Sequence, residues 1–173
     1  SPNAFRGALE EFTKSGSDKL VLDLRGNPGG FLEAAVDIAS WFLPQGKTVV
    51  RESFKDRENE QVYRSKGYDI FSDKLKMAIL MNGGSASASE ILAGALREHE
   101  KAILVGEKSF GKGSVQELVP ITSDTSLKVT IARWLTPNGV SISEEKLTPD
   151  YEVKMTAEDV KVGKDPQMEK AAE

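Results

Sequence analysis

A chain of 173 residues with 39% hydrophobic and 29% charged content is long enough for one sizeable core and short for two, so a single globular domain is the default. Its 23 basic and 27 acidic residues give a net charge of −4 and are spread along the chain, which leaves no basic footprint for nucleic acid. Cysteine is absent and His99 is the one histidine, which removes cysteine nucleophiles, structural zinc and almost every transition-metal site. No stretch reaches the roughly 18 apolar residues of a membrane span, and Ser1-Pro2-Asn3-Ala4-Phe5 does not read as a signal peptide.

In chain order, Phe5, Leu9 and Phe12 predict an amphipathic helix over 4–13, with Asn3 as N-cap. Leu20 to Leu24 is a short apolar run of strand length, as a strand buried on both faces would be. The turn Arg25-Gly26-Asn27-Pro28-Gly29-Gly30 leads into a helix over 31–43, ended by Pro44-Gln45-Gly46. Thr48 to Phe54 and Gln61 to Arg64 predict a polar hairpin around a charged, solvated tip. The strand, glycine turn and helix pattern then returns: Lys76 to Met81, Asn82-Gly83-Gly84, and Ser87 to Arg97, followed by an apolar strand at 102–105. This alternation predicts a mostly parallel sheet with packed helices, and both glycine turns fall at one rim, where ligands gather in such sheets. From Ser114 the pattern turns β-rich, with strands over 114–119 and 127–135, and 157–173 reads as a polar, loosely docked tail.

Several motifs carry competing readings. Gly106 to Lys112 matches the first seven positions of a phosphate-binding loop, but Gly113 replaces the closing Ser or Thr and a strand follows instead of a helix. A nucleotide site is thus a minor alternative to plain tight turns. Ser85, Ser87 and Ser89 crowd a helix start, where Ser87-Ala88-Ser89-Glu90 forms a capping box. A hydroxyl there is equally placed as a nucleophile, because an oxyanion would meet backbone donors and a favourable dipole. His99 cannot be its base: twelve residues of continuous helix separate the two by about 18 Å at roughly 1.5 Å per residue. The Gly-x-Ser-x-Gly elbow also lacks its last glycine, and His99 reads as a surface residue complementing a helix C-terminus. A serine nucleophile would then need a lysine base. Lys112, between Gly111 and Gly113, is the candidate, against the plainer reading of a solvated loop lysine.

Five blocks, in order, resemble the carboxyl-terminal processing or tail-specific proteases, serine peptidases with a Ser–Lys dyad. They are Leu22 to Gly30, Asn82 to Glu90, Gly106 to Gln116, Thr136-Pro137-Asn138-Gly139 and Thr148-Pro149-Asp150. The resemblance implies an α/β fold of the ClpP and crotonase kind, with a mostly parallel sheet, flanking helices and a β-rich C-terminal section. It implies Ser87 as nucleophile, Lys112 as base and Gln116 as the group that orients the lysine. The oxyanion donors would be the Ala88 N–H and one from the Gly29-Gly30 turn. No metal or cofactor is implied. If 112–116 is extended, Lys112 and Gln116 share a face. With a reference pKa of about 10.4, roughly one lysine in 2,500 is neutral at pH 7, so a dry pocket around Phe110, Gly111 and Gly113 is expected.

Family members also carry a targeting segment, an extracytoplasmic location and an upstream PDZ domain that captures apolar substrate C-termini. By the same resemblance, 1–156 reads as a protease core without the PDZ domain, and 157–173 as its tail. The strand that precedes the first helix in the family is not seen, which predicts an open sheet edge. Homo-oligomerisation stays open. The alternative is a catalytically inactive fragment or relative that binds peptides or serves as a scaffold.

Overall fold

The computed structural model describes residues 2–54 and 60–173. Of the expected hairpin tip over 55–60, residues 55–59 fall outside the described residues and Glu60 opens a strand.

Two sheets organise the chain. The first contains β1 (Lys19–Asp23), β4 (Lys76–Met81), β5 (Ile103–Gly106) and β8 (Tyr151–Glu152), all parallel and in the order β1-β4-β5-β8. Among the described residues β1 lies at the edge of this sheet. Its register pairs Asp23 with Leu80, so β1 and β4 end side by side. β4 is central, and alternate residues serve two cores. Met77, Ile79 and Met81 join the large cluster, while Ala78 and Leu80 face Val105, Val21 and Val153 on the other side. A strand buried on both faces has no polar face to alternate with, which is why its sequence is continuously apolar.

The large core lies under three helices: α1 (Pro2–Ser15), α2 (Leu32–Ser40) and α3 (Ala88–Glu98). Leu9, Ala39, Phe42, Leu92, Ala95 and Leu96 are buried in it. Aromatic contacts bind α1 to the residues after α2, with Phe5 edge-on to Phe42 at 6.4 Å and Phe42 stacked on Phe71 at 5.1 Å. Helix α2 ends at Ser40, before the expected 43, because Trp41 to Leu43 tighten into turns.

The second sheet is antiparallel, in the order β3-β2-β7-β6, formed by β2 (Thr48–Phe54), β3 (Glu60–Arg64), β6 (Ser114–Pro120) and β7 (Ser126–Leu135). The register of β6 against β7 slips between Val115 and Gln116, where Ile131 of β7 has no opposite residue. Bulges of this kind bend a ribbon and are frequent beside active sites. His99 is half-buried rather than a surface residue, and its Nε2 lies 2.7 Å from the Thr48 carbonyl oxygen, joining the end of α3 to β2.

The polar stretch expected to be a loosely docked tail folds instead into α5 (Ala157–Val162) and α6 (Pro166–Ala172), after the short α4 (Ile142–Glu145). Local capping explains why a polar sequence is helical here: Thr156 and Asp159 form a capping box, and Asp165 caps α6. Helix α6 docks through Ala171 on the small core of the parallel sheet.

Candidate active site

The turns that leave β1 and β4 meet at the rim of the parallel sheet. Ser85, 2% exposed, donates its hydroxyl to the Leu24 carbonyl at 2.7 Å and accepts the Asn82 N–H at 3.0 Å. Asn82 Oδ1 accepts the N–H groups of Gly26 and Gly84, both at 2.9 Å. These bonds fasten the Leu24–Gly30 turn to the Asn82–Ser87 turn. Contact is closest at Gly29, where φ is +90° and a Cβ would lie 2.5 Å from the Ala86 carbonyl oxygen and 2.7 Å from the Ala88 nitrogen. Only glycine allows that approach.

Ser87 stands at the N-terminus of α3 with φ 55° and ψ −119°. For a residue with a Cβ this is a sparsely populated conformation, costing on the order of 1–3 kcal/mol, which persists only where the surroundings enforce it. Here the enforcing partner is Glu90. The two residues form a capping box whose firm arm is the Ser87 N–H donating to Glu90 Oε2 at 2.9 Å, the hydroxyl arm falling short of a full cap hydrogen bond. Ser85 and Ser89 are buried, whereas Ser87 is half-buried. Among the described residues, the Ala88 and Gly30 N–H groups donate to no protein acceptor, while the Gly29 N–H is taken by Asn27 Oδ1 at 3.0 Å. Of the expected oxyanion donors, Ala88 and Gly30 are thus those without a protein acceptor among the described residues.

Glu90 does more than cap, and sequence reasoning missed this. It is 1% exposed and its Oε1 accepts the Ser109 hydroxyl at 2.5 Å and the Gly111 N–H at 2.7 Å. Oε2 takes the Lys112 N–H at 2.9 Å, beside that of Ser87. Two donors on each oxygen satisfy the buried carboxylate completely. Because Ser87 and Lys112 share one acceptor oxygen, their backbone nitrogens sit less than about 6 Å apart at normal hydrogen-bond length. The signal in the sequence was an acidic residue amid the Ala- and Leu-rich positions of a core helix, which must find partners.

The same bonds remove the phosphate-loop reading. The Gly111 and Lys112 N–H groups already hold a carboxylate, and Lys112 leads into strand β6 rather than a helix.

The side chains of Lys112 and Gln116 depart from expectation. Both are exposed, as is Phe110 at 58%, so the dry pocket expected around the lysine is not formed by this chain. The physical reason is topological: β6 is an edge strand, and among the described residues nothing packs beyond it. Regular strand begins only at Ser114, so the shared-face argument for Lys112 and Gln116 has no continuous strand beneath it. Among the described residues no hydrogen bond joins Lys112 to Ser87 or to Gln116.

Residues 1–153 match peptidase family S41. The chain belongs to that family. A carboxy-terminal-processing protease of Bartonella bacilliformis is 44% identical over 146 residues, covering 82% of this chain and 33% of that protein. A probable CtpA-like serine protease of Staphylococcus aureus strain N315 is 44% identical over 154 residues, covering 86% of this chain and 30% of that protein. Among solved structures, the photosystem II D1 C-terminal processing protease superposes with a TM-score of 0.80 at 36% identity, covering 88% of this chain and 39% of that one. The S41 chain thus spans about a third of the length of these relatives. Its α/β architecture, a parallel sheet under helices beside an antiparallel sheet, is that of the S41 neighbours.

Proposed function

We propose that this chain is the catalytic core of a serine endopeptidase that cleaves near the C-terminal tails of proteins. The observation that carries the reading is Ser87, strained at φ 55° on a helix N-terminus and tied through Glu90 to the loop of Lys112. In the proposed reaction Lys112, neutral, accepts the Ser87 proton as Ser87 Oγ attacks the peptide carbonyl. The tetrahedral oxyanion lies between the Ala88 and Gly30 N–H groups, near the positive end of α3. Lys112 then protonates the leaving amine, the acyl-enzyme forms on Ser87, and water hydrolyses it. In that last step neutral Lys112 takes the proton of the attacking water and returns it to Ser87 Oγ as the acyl C–O bond breaks, which releases the acid and restores the starting state. Gln116 orients the lysine amine.

For the whole protein we extend the reading to apolar-tailed polypeptide substrates, an upstream PDZ domain that captures them and an extracytoplasmic location. Support for this part comes from the family alone. The exposure of Lys112 favours a second reading, in which the chain by itself binds peptide without cleaving it.

Hydrolysis of an unstructured apolar-tailed peptide by the parent protein, set beside its Ser87→Ala and Lys112→Ala variants, tests the first reading. Loss of turnover in both supports the dyad. Equal hydrolysis by all three refutes it, and binding without hydrolysis selects the second reading.

A further inference from the structure

Residues 157–173 lie beyond the region that matches the family, yet they reach the candidate site. The link is Arg25, two residues after β1 and 17% exposed in its side chain. Its Nη1 and Nη2 donate to the two oxygens of Asp165, each at 2.8 Å, and Nη1 also donates to Gln167 Oε1 at 3.1 Å. On its other side Nε and Nη2 donate to the Asp23 carboxylate at 3.0 and 2.7 Å. A guanidinium held as a fork on one carboxylate and clasped by a second has little freedom left, because the planar donors fix direction as well as charge.

Helix α6 is itself firmly seated. Asp165 Oδ1 caps it through the Met168 N–H at 2.9 Å, and Gln167, 1% exposed, donates Nε2 to the Val153 carbonyl at 2.7 Å. One residue beyond Arg25, the Gly26 N–H is held by Asn82, and three further on Gly29 lies against Ser87 and Ala88.

We infer that Asp165 and Gln167 of α6 are positioning residues for the candidate oxyanion turn: by clamping Arg25 they hold Gly26 to Gly30 against Ser87 and set where the Gly30 N–H points. The inference rests on the serine-peptidase reading of that turn. The charge balance agrees with it. Hydrogen bonds from Arg25 hold the Asp165 carboxyl below the usual carboxylate range. Burial pushes Asp23 up, but the bonds and charge of Arg25 outweigh it and the net shift is downward.

Asp165→Asn is the informative variant, since Asn still accepts the Met168 N–H and so keeps the cap while losing the charged fork. Amide exchange in the 173-residue chain is measured at Gly26, Asn27 and Gly29, with Leu92 to Leu96 of α3 as the internal reference. The rate at which a fluorophosphonate acylates Ser87 is measured in parallel. Asp165→Asn is expected to speed exchange in the turn about tenfold, leave α3 unchanged and slow acylation about tenfold, with Asp165→Glu restoring part of both. Unchanged turn exchange, or exchange that rises equally in α3, overturns the inference, as does a loosened turn with acylation at the wild-type rate. If Ser87 of the unmutated chain takes no label, the reading of this chain by itself as a peptidase fails instead, and turn exchange alone decides the clamp.

Discussion

Glu90→Ala removes an acceptor shared by the Ser87 turn and the Lys112 loop. Three backbone N–H groups and the Ser109 hydroxyl lose their partner at a site 1% exposed to water. Hydrogen bonds to a charged group contribute about 1.5–3 kcal/mol each, but four on one side chain do not add, since the loop relaxes after the first is lost. A loss of about 4 kcal/mol is expected. Glu90→Gln is milder. Its amide nitrogen fits best in the Oε1 position, where the Ser109 hydroxyl can rotate to accept and only the Gly111 N–H is stranded, for about 2 kcal/mol. Urea melts followed by tryptophan fluorescence measure both, with m values equal to wild type as the sign that the unfolded state is unchanged. Activity separates the hub from a mere core residue. In Glu90→Ala the Ser87 N–H is released and Ser87 can relax out of φ 55°, so that variant is expected to lose at least about tenfold in kcat at temperatures where it is fully folded, while Glu90→Gln, which keeps the Ser87 bond, loses less. A Glu90→Ala cost under about 1 kcal/mol, or full kcat in folded Glu90→Ala, refutes the hub.

Ser87→Gly relieves the positive φ and is expected to raise stability by about 1 kcal/mol while abolishing hydrolysis, seen as a higher urea midpoint in an inert protein. Gly29→Ala places a methyl against the Ala86 carbonyl in a conformation alanine resists; a loss of about 2 kcal/mol or more and a fall in Ser87 acylation are expected. Tyr63 is pushed up to about 12 by burial and by the Glu52 carboxylate to which its hydroxyl donates at 2.9 Å. A raised folded value means that its contribution is complete below the ordinary tyrosine range near pH 10 and is lost as pH rises towards 12. Tyr63→Phe should therefore lose about 1 kcal/mol at neutral pH and show a flatter alkaline stability profile.

The repeated strand, glycine turn and helix was legible because its signals are local: apolar runs of strand length, helical spacing, and glycines where the chain turns. Lys76 to Met81 is a strand between the residues expected, and α3 lies within one residue of its expected position. The helices α5 and α6 were not legible, since their polar composition carries no core-facing stripe and their stability comes from caps and from docking on Arg25. Within the site, the serine and the glycine turns could be read because capping and close approach restrict residue type. The Glu90 hub needed tertiary structure, because nothing local says that residues 109–112 return to the start of α3.

Under the proposed chemistry the capping box and the nucleophile, opposed as explanations of Ser87, are parts of one device. A hydroxyl that completed a strong cap would be spent on the helix; here Glu90 anchors the backbone of Ser87 while its hydroxyl arm stays weak. That same carboxylate fixes the backbone of Lys112 and leaves its side chain in solvent. Under the proposed chemistry the nucleophile is thus preorganised by this chain and the base is not. Proton transfer to a lysine requires the neutral amine, and water favours the charged one, so turnover must depend on whatever excludes water from the open edge of β6. Under that chemistry control of the site falls on covering Lys112, since the backbone of Ser87 is already held by Glu90.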